Sequence, residues 1–406
     1  MITREAARAI AAARPRVVAA LAARLRDLDL AEDAFADASA SALAAWPQQA
    51  PRDPAAWLWR ASLRRAIDAR RRAEVRARVR PDSPEPPPTP EEALMAAQEP
   101  LPDERLRLIF VCCHPAIGAD ARAALTLKVV CGLSTERLAR AFLVGEPAML
   151  QRITRAKAKI ARSGVPFEVP GPGAWHERIE AVLTTLEIAY AQAYEDAALS
   201  GEAAPFPAEV LRLSGILAEL IPEDPEVLAL AALARFAEAR RPARLDDRGA
   251  MVPPHQQDTT LWTRALISDG ARLMDRAADL GRSGPRQVLA AIHGAHLSRL
   301  ETGVTPWADI VRLYDVLVAL RPTPVTAVNR AVAVGEAFGP EQGLAALDAI
   351  DSSRLGGWLP WHAARAGLCA AAGRRADAAA ALRTALTLGP APAERLFLER
   401  RLRALA

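Results

Sequence analysis

One short segment, residues 145–164, carries a regular pattern of basic side chains. It reads GEPAMLQRITRAKAKIARSG and holds two of the three lysines of a chain whose other cations are arginines. Its apolar residues recur at steps of four, three and four, and its basic residues at steps of three, four and three. Both spacings predict a helix with one apolar and one basic face. A basic face can bind nucleic-acid phosphates, but a solvated helix surface has the same pattern.

Individual side chains of this helix predict two kinds of contact with duplex DNA. Residues near the start of a recognition helix reach base edges, and basic residues behind them hold phosphates. Gln151 and Arg152 are therefore predicted to contact bases, although a phosphate contact fits Arg152 equally well. The predicted phosphate contacts are Arg155, Lys157 and Lys159.

Other residues that could do chemistry are better explained as structural. Adjacent cysteines are poor partners for one tetrahedral metal ion, so Cys112, Cys113 and His114 predict buried side chains and no metal site. His255 lies in a Pro-rich turn without a nucleophile at motif spacing. The sequence also lacks a Gly-rich phosphate loop, a nucleophile elbow and a carboxylate pair in a suitable context. We therefore expect no enzymatic activity and no cofactor.

The elements before the basic helix predict how it is held. The segment STERLARAF, residues 134–142, predicts a short helix with Ser134 or Thr135 as its N-cap. Gly145 turns the chain, and Pro147 opens the basic helix at its first turn. A helix, a short turn and a basic helix form the helix-turn-helix layout, in which the second helix enters the major groove.

Charge divides the chain into blocks. Residues 1–81 carry a net charge of +7, residues 82–104 carry −7 and residues 105–165 carry +8. Two basic blocks joined by an acidic segment indicate a nucleic-acid binder. Residues 81–104 are rich in Pro and Glu, which predicts an extended, mobile linker.

The first basic block contains a helix rich in arginine. Asp53 is its predicted N-cap and Pro54 its first residue. Trp59 lies on a face that should be buried, and Trp57 points about 200° away from it, so one of the two indoles is expected to face solvent.

The rest of the chain predicts helices throughout, so the expected fold is all-α. Residues 361–390 match a tetratricopeptide-like helical hairpin with its turn at Gly373, and residues 322–350 form a looser copy. A stacked repeat array with a binding groove and a plain helical bundle both fit residues 175–406. No apolar window is long enough for a membrane span, and the N-terminus lacks the apolar region of a signal peptide. These features and the cysteine spacing predict a cytoplasmic protein.

Several stretches together resemble a known family. The order of a tryptophan-bearing basic helix, an acidic linker and a helix-turn-helix resembles the extracytoplasmic-function branch of the sigma-70 family. The stretches LPDERLRLIFVCCHPAI and TPVTAVNRAVAV resemble the subgroup with a tetratricopeptide-like C-terminal extension. The similarity spans almost the whole chain.

The resemblance implies a sigma factor that binds core RNA polymerase and promoter DNA. It implies a region-two bundle in residues 1–80, a linker in 81–104, a region-four helix-turn-helix in 105–165 and a regulatory domain in 175–406. Region four would read the −35 element through the basic helix. The implied polymerase contacts lie on one acidic helix: Asp29, Glu32, Asp33, Asp37 and Trp46.

Region two would capture the −10 element as a single strand, for which an exposed aromatic ring and nearby arginines are suited. The residues implied for this role are Trp57, Trp59, Arg60, Arg64, Arg65, Arg70 and Arg71. The sequence departs from the family pattern at two places, one of which concerns the −10 preference and the other any function tied to the start of the extension. The run ASLRRAID lacks an Asn that the family tends to have, and the extension lacks the usual Asn-Glu-Gly before Tyr194.

The acidic balance of the extension predicts an intramolecular contact with the basic blocks, besides an unidentified regulatory protein or ligand. Two other functions remain open. The chain could be a helix-turn-helix regulator with a sensor domain that does not join the polymerase, or a scaffold whose repeats bind peptides.

Overall fold

The computed structural model describes residues 2–46, 51–77, 104–130, 132–142, 144–165, 167–200, 205–351 and 355–405. Most of these residues are helical. The β-type pairing among them is an isolated bridge between Leu245 and Met251. The predicted all-α class is therefore confirmed. Most of the predicted linker, residues 81–104, lies outside the described residues.

The described helices fall into two compact units, residues 1–192 and 193–406. The helices of the first unit are α1 (Ile2–Leu25), α2 (Leu28–Ala45), α3 (Pro54–Ala77), α4 (Arg105–Cys112), α5 (Ala119–Val129), α6 (Thr135–Ala141), α7 (Glu146–Arg162) and most of α8 (Pro172–Ser200).

The helices that follow are α9 (Pro205–Leu220), α10 (Pro225–Ala239), α11 (Arg264–Asp279), α12 (Pro285–Leu297), α13 (Arg299–Thr302), α14 (Trp307–Leu320), α15 (Pro324–Phe338), α16 (Pro340–Asp348), α17 (Leu359–Ala371), α18 (Arg375–Thr387) and α19 (Pro392–Leu405). No helix in the described ranges is both long and apolar enough to cross a membrane.

Helices α1, α2 and α3 pack against one another in the first unit. The side chain of Asp27 accepts the backbone N–H of Leu30 and caps α2. Asp53 accepts the N–H of Ala56 in the same way, which confirms the predicted cap at the start of α3. Each cap satisfies a backbone donor that the first helical turn cannot pair internally.

The second basic block, helices α4 to α7, belongs to the same unit as α1 to α3. Helix α4 ends at Cys112. Helices α5 and α6 both pack against α7. The chain passes from α5 to α6 at Gly132, which has a φ of +73°, a left-handed conformation that favours glycine.

The second unit contains the predicted helical hairpins. Helices α17 and α18 pack together with Gly373 between them at a φ of +75°, where the sequence placed the turn. Helices α15 and α16 approach closely at Gly343, where a Cβ atom would lie 2.7 Å from the Cα of Gly335. Small residues at this crossing let the two backbones meet.

Candidate nucleic-acid interface

Helix α7 has the two faces that its sequence predicts. The apolar face is buried against the preceding helices through Met149, Ile153, Ala156 and Ile160. The side chains that the helix exposes to solvent include Gln151, Arg155, Lys159 and Arg162. Arg152 is half-buried. The buried stripe fixes the rotation of α7, so most of the predicted DNA contacts face outward on a supported helix.

Lys157 does not share this outward orientation. Its Nζ atom donates to Oδ1 of Asp29 at 2.7 Å and to Oε2 of Glu32 at 2.6 Å. Only 16% of its side chain is exposed. In this conformation Lys157 cannot reach a DNA phosphate, so the prediction of a free phosphate contact is wrong here. Helical spacing placed Lys157 near the basic face, but its side chain points to α2.

Five charged residues meet around this contact: Arg14, Asp29, Glu32, Lys128 and Lys157, called the ionic cluster below. Nη2 of Arg14 contacts Oε1 of Glu32 at 2.6 Å. Burial lowers the pKa of Lys128, and Arg14 and Lys157 add to this while Glu32 opposes it. Burial also disfavours the charged form of Lys157, but the two carboxylates outweigh it, so its pKa is raised. Lys157 therefore remains charged at neutral pH.

The acidic helix α2 is only partly available as a partner surface. Asp33 and Asp37 are exposed. Asp29 and Glu32 bind Lys157, and the Asp29 side chain stays 71% exposed whereas that of Glu32 is 14% exposed. Trp46 is only 3% exposed, and its ring packs edge-on against Trp57 at 5.5 Å between centroids. The predicted polymerase contact at Trp46 is therefore wrong in this conformation, because a large apolar side chain at a helix end is worth more buried in the bundle.

The two tryptophans of α3 are distinguished by the structure. Trp59 is 3% exposed and lies in the core, so its ring is not accessible to a DNA base in this structure. Trp57 is half-buried against Trp46 and keeps some exposed surface. The expectation that one of the two indoles faces solvent is met only in part, because the more exposed ring, Trp57, is half-buried.

Two of the predicted arginines of α3 donate hydrogen bonds to neighbouring helices, and the other three are exposed or half-buried. Arg65 donates to Oγ of Ser41 at 2.6 Å, and Arg70 donates to the carbonyl oxygen of Leu25 at 2.5 Å. These two bonds tie α3 to α2 and to the end of α1. The other predicted DNA contacts of α3 reach solvent wholly or in part: Arg60, Arg64 and Arg71.

The cysteine pair is buried, as predicted. Cys112 and Cys113 are buried, and neither thiol is in a disulfide. Burial raises the pKa of the Cys113 thiol, and its Sγ lies 3.5 Å from Oγ1 of Thr126. Nδ1 of His114 accepts the N–H of Ala116. No group of three His, Cys, Asp or Glu side chains suited to a metal ion occurs in the part of the chain that the structure describes.

Sequence reasoning did not identify a cluster of polar side chains in the second unit. Nη2 of Arg240 lies 3.2 Å from Nδ1 of His293. His255 and His296 both pack edge-on against Trp307, at 6.1 Å and 5.3 Å between centroids. These residues come from distant elements, so no sequence motif marks them. His255, predicted to be a loop histidine, contacts this group from the loop between α10 and α11.

Comparison with known proteins gives two matches. Residues 178–278 match DUF6596, a family of unknown function. An uncharacterized protein of Rhizobium meliloti (strain 1021), R00370, is 38% identical over 405 residues, which cover 98% of this chain and 95% of that protein. No solved structure matches the chain.

Proposed function

We propose that this chain, which belongs to one family with the Rhizobium meliloti protein R00370, is an alternative sigma factor that directs RNA polymerase to promoters. The observation that carries the proposal is helix α7. It buries an apolar stripe under two short helices and turns Gln151, Arg155 and Lys159 toward solvent. A supported basic helix of this kind can enter a major groove.

We assign the roles of a sigma factor to the side chains that reach solvent. Helix α7 would read the −35 element, and α3 would hold the opened −10 strand through Trp57 and its exposed arginines. Asp33 and Asp37 would face core RNA polymerase. The helices of the second unit would form a tetratricopeptide-like regulatory domain. The protein would act in the cytoplasm, without enzymatic activity or a cofactor.

One observation favours a second candidate, a helix-turn-helix regulator that does not join the polymerase. Asp29 and Glu32, two of the acids expected to face the polymerase, bind Lys157 of the same chain. A regulator would use α7 on DNA in the same way and would have no need of an acidic docking edge.

The test is the association of the purified full chain with core RNA polymerase that lacks any sigma factor, measured by co-elution and fluorescence anisotropy. A sigma factor should bind saturably. Reversing two exposed charges with Asp33→Lys and Asp37→Lys should weaken binding by at least about tenfold, because charged rims steer and position partners.

The matched control is Asp377→Lys, which reverses an exposed acid of the second unit and should leave the affinity unchanged. Sequence-dependent DNA binding without polymerase association would favour the regulator. Absence of both activities would contradict both candidates.

A further inference from the structure

Two arginines and three histidines of the second unit lie together and have no part in the proposed function. We call them the arginine–histidine cluster: Arg240, His255, His293, His296 and Arg299. They come from four elements, because Arg240 follows the last residue of α10, His255 lies in the loop before α11, and the others belong to α12 and α13. The fold of the second unit thus brings cations and imidazole rings to one place.

A buried arginine fixes the hydrogen of one imidazole ring. Arg240 is only 5% exposed, and its Nη2 lies 3.2 Å from Nδ1 of His293. A guanidinium can only donate, so Nδ1 accepts and Nε2 of His293 carries the ring hydrogen. Burial and the Arg240 charge lower the pKa of His293, so the ring is neutral at pH 7. His293 therefore offers an N–H donor beside a buried cation.

Several buried polar atoms near this pair have no hydrogen-bond partner in the part of the chain that the structure describes. They are Nδ1 of His296, Oε1 of Gln257 and Nε1 of Trp262. His296 follows His293 by three residues on the same face of α12. Buried polar atoms in folded proteins are normally paired. Pairing these atoms requires a hydrogen-bonding group from outside the chain.

Arg299 provides a second cation from another side of the cluster. Its Nη1 and Nη2 donate to the carbonyl oxygens of His255 and Gln257, and its guanidinium carbon lies 5.5 Å from the centroid of the Trp262 ring. These contacts use two of its five N–H donors and fix the position of its charge. Arg299 is half-buried, so the cluster reaches solvent at this side.

The acids near the cluster lie on its outside. Burial lowers the pKa of His255, with smaller effects of the Arg299 and Arg401 charges, while Glu336 opposes them. Asp258 is close enough to Arg299 for that charge to lower its pKa. Both Glu336 and Asp258 are exposed, and water and salt screen exposed charges more than buried ones. The interior of the cluster therefore favours an anion.

We propose that the arginine–histidine cluster binds a phosphate group, supplied by free phosphate or by a small phosphate monoester. A planar carboxylate pairs best with one edge of one guanidinium. A tetrahedral phosphate can accept from Arg240 and Arg299 on different sides and from imidazole N–H donors between them. This inference goes beyond the proposed function and does not depend on it.

The first measurement is isothermal titration calorimetry of the full chain at constant ionic strength, with inorganic phosphate, glycerol 3-phosphate and acetate as ligands. We expect saturable binding of phosphate ligands, with a dissociation constant of about 1 mM or below, and at least about tenfold weaker binding of acetate. Tighter binding of inorganic phosphate would identify the free ion as the ligand, and tighter binding of glycerol 3-phosphate would identify a monoester. Equal binding of acetate would overturn the proposal.

Variants connect the binding to the cluster. Arg240→Gln should weaken phosphate binding at least about tenfold, because it removes the buried cation, and Arg240→Lys should weaken it less. His293→Ala removes a half-buried ring and its N–H donor, and should also weaken binding. The matched control is Arg383→Gln, which removes an exposed charge of α18 and should leave the affinity unchanged. Equal affinities of Arg240→Gln and Arg383→Gln would overturn the proposal.

A second measurement needs no variant, which matters because exposed arginines of the first unit also attract phosphate. Hydrogen exchange of the native full chain is compared with and without saturating phosphate. We expect slower exchange in peptides from residues 254–262 and from α12, and no change in α17 and α18, because a ligand stabilises the elements that it holds. Slower exchange confined to α3 and α7 would place the phosphate on the first unit and overturn the proposal. None of these results alters the polymerase test of the proposed function.

Discussion

Gly132 lies in the turn between α5 and α6 and faces Arg14 of the ionic cluster. Its φ of +73° is a left-handed conformation, which costs other residues about 1 kcal/mol or more. A Cβ atom at this position would lie 2.8 Å from Nε of Arg14, the residue that holds Glu32. Glycine is therefore needed both for the turn and for the space that Arg14 occupies.

We expect Gly132→Ala to lower the free energy of unfolding of the first unit by about 2 kcal/mol, from the backbone cost and the displaced Arg14. Gly164→Ala is the control, because Gly164 has a φ of +59° but no other atom within 4 Å of its Cβ position. The Gly164→Ala variant should lower the free energy of unfolding by only about 1 kcal/mol. Hydrogen exchange of α1 and α5 peptides measures both, and equal losses would show that Arg14 does not limit the space at Gly132.

At the scale of helices, periodicity and local residue chemistry were sufficient to predict the faces, caps and turns of individual helices. The buried face of α7, the cap at Asp53 and the turn at Gly373 all depend on residues close together in the chain. The environment of Lys157 and the burial of Trp46 depend on which helix lies opposite. Periodicity gives the faces of a helix but not its neighbour, so these contacts could not be predicted.

The histidines around Trp307 give the second unit a pH-dependent stability. Burial, together with the smaller effects of the Arg240, His255 and Arg299 charges, lowers the pKa of His296 to about 4. Burial also lowers the pKa of His293, which faces Arg240. The unfolded chain binds these protons near pH 6.5, so stability is complete above that pH and declines as the pH falls toward 4. His296 alone should account for about 3 kcal/mol at pH 4.

Urea unfolding followed by circular dichroism at pH 7, 6 and 5 measures this loss. In His296→Gln the decline should be shallower, and the difference between the two proteins removes the contribution of the other titratable groups. Parallel pH profiles for wild type and variant would show that His296 is not responsible.

For the molecule as a whole, the first compact unit extends beyond the predicted region-four limit at residue 165. Its boundary lies at residue 192, inside α8. The ring of Trp175 packs 5.5 Å from that of Phe110, and Arg178 donates to the carbonyl oxygen of Phe110 at 2.5 Å. The buried apolar residues that α8 adds to this unit are Ile179, Val182, Leu183 and Leu186. The start of α8 thus completes the core around α4.

A fragment of residues 1–165 should therefore be much less stable than a fragment of residues 1–192. Burying one large aliphatic side chain is worth about 1.5–3 kcal/mol, and the shorter fragment lacks four of them. A loss of at least about 5 kcal/mol would remove most of the stability of an ordinary domain. Thermal unfolding of both fragments, followed by circular dichroism, measures the difference. If the two melt at the same temperature, α8 contributes nothing to the first unit, and the stable unit ends at residue 165, at the predicted limit.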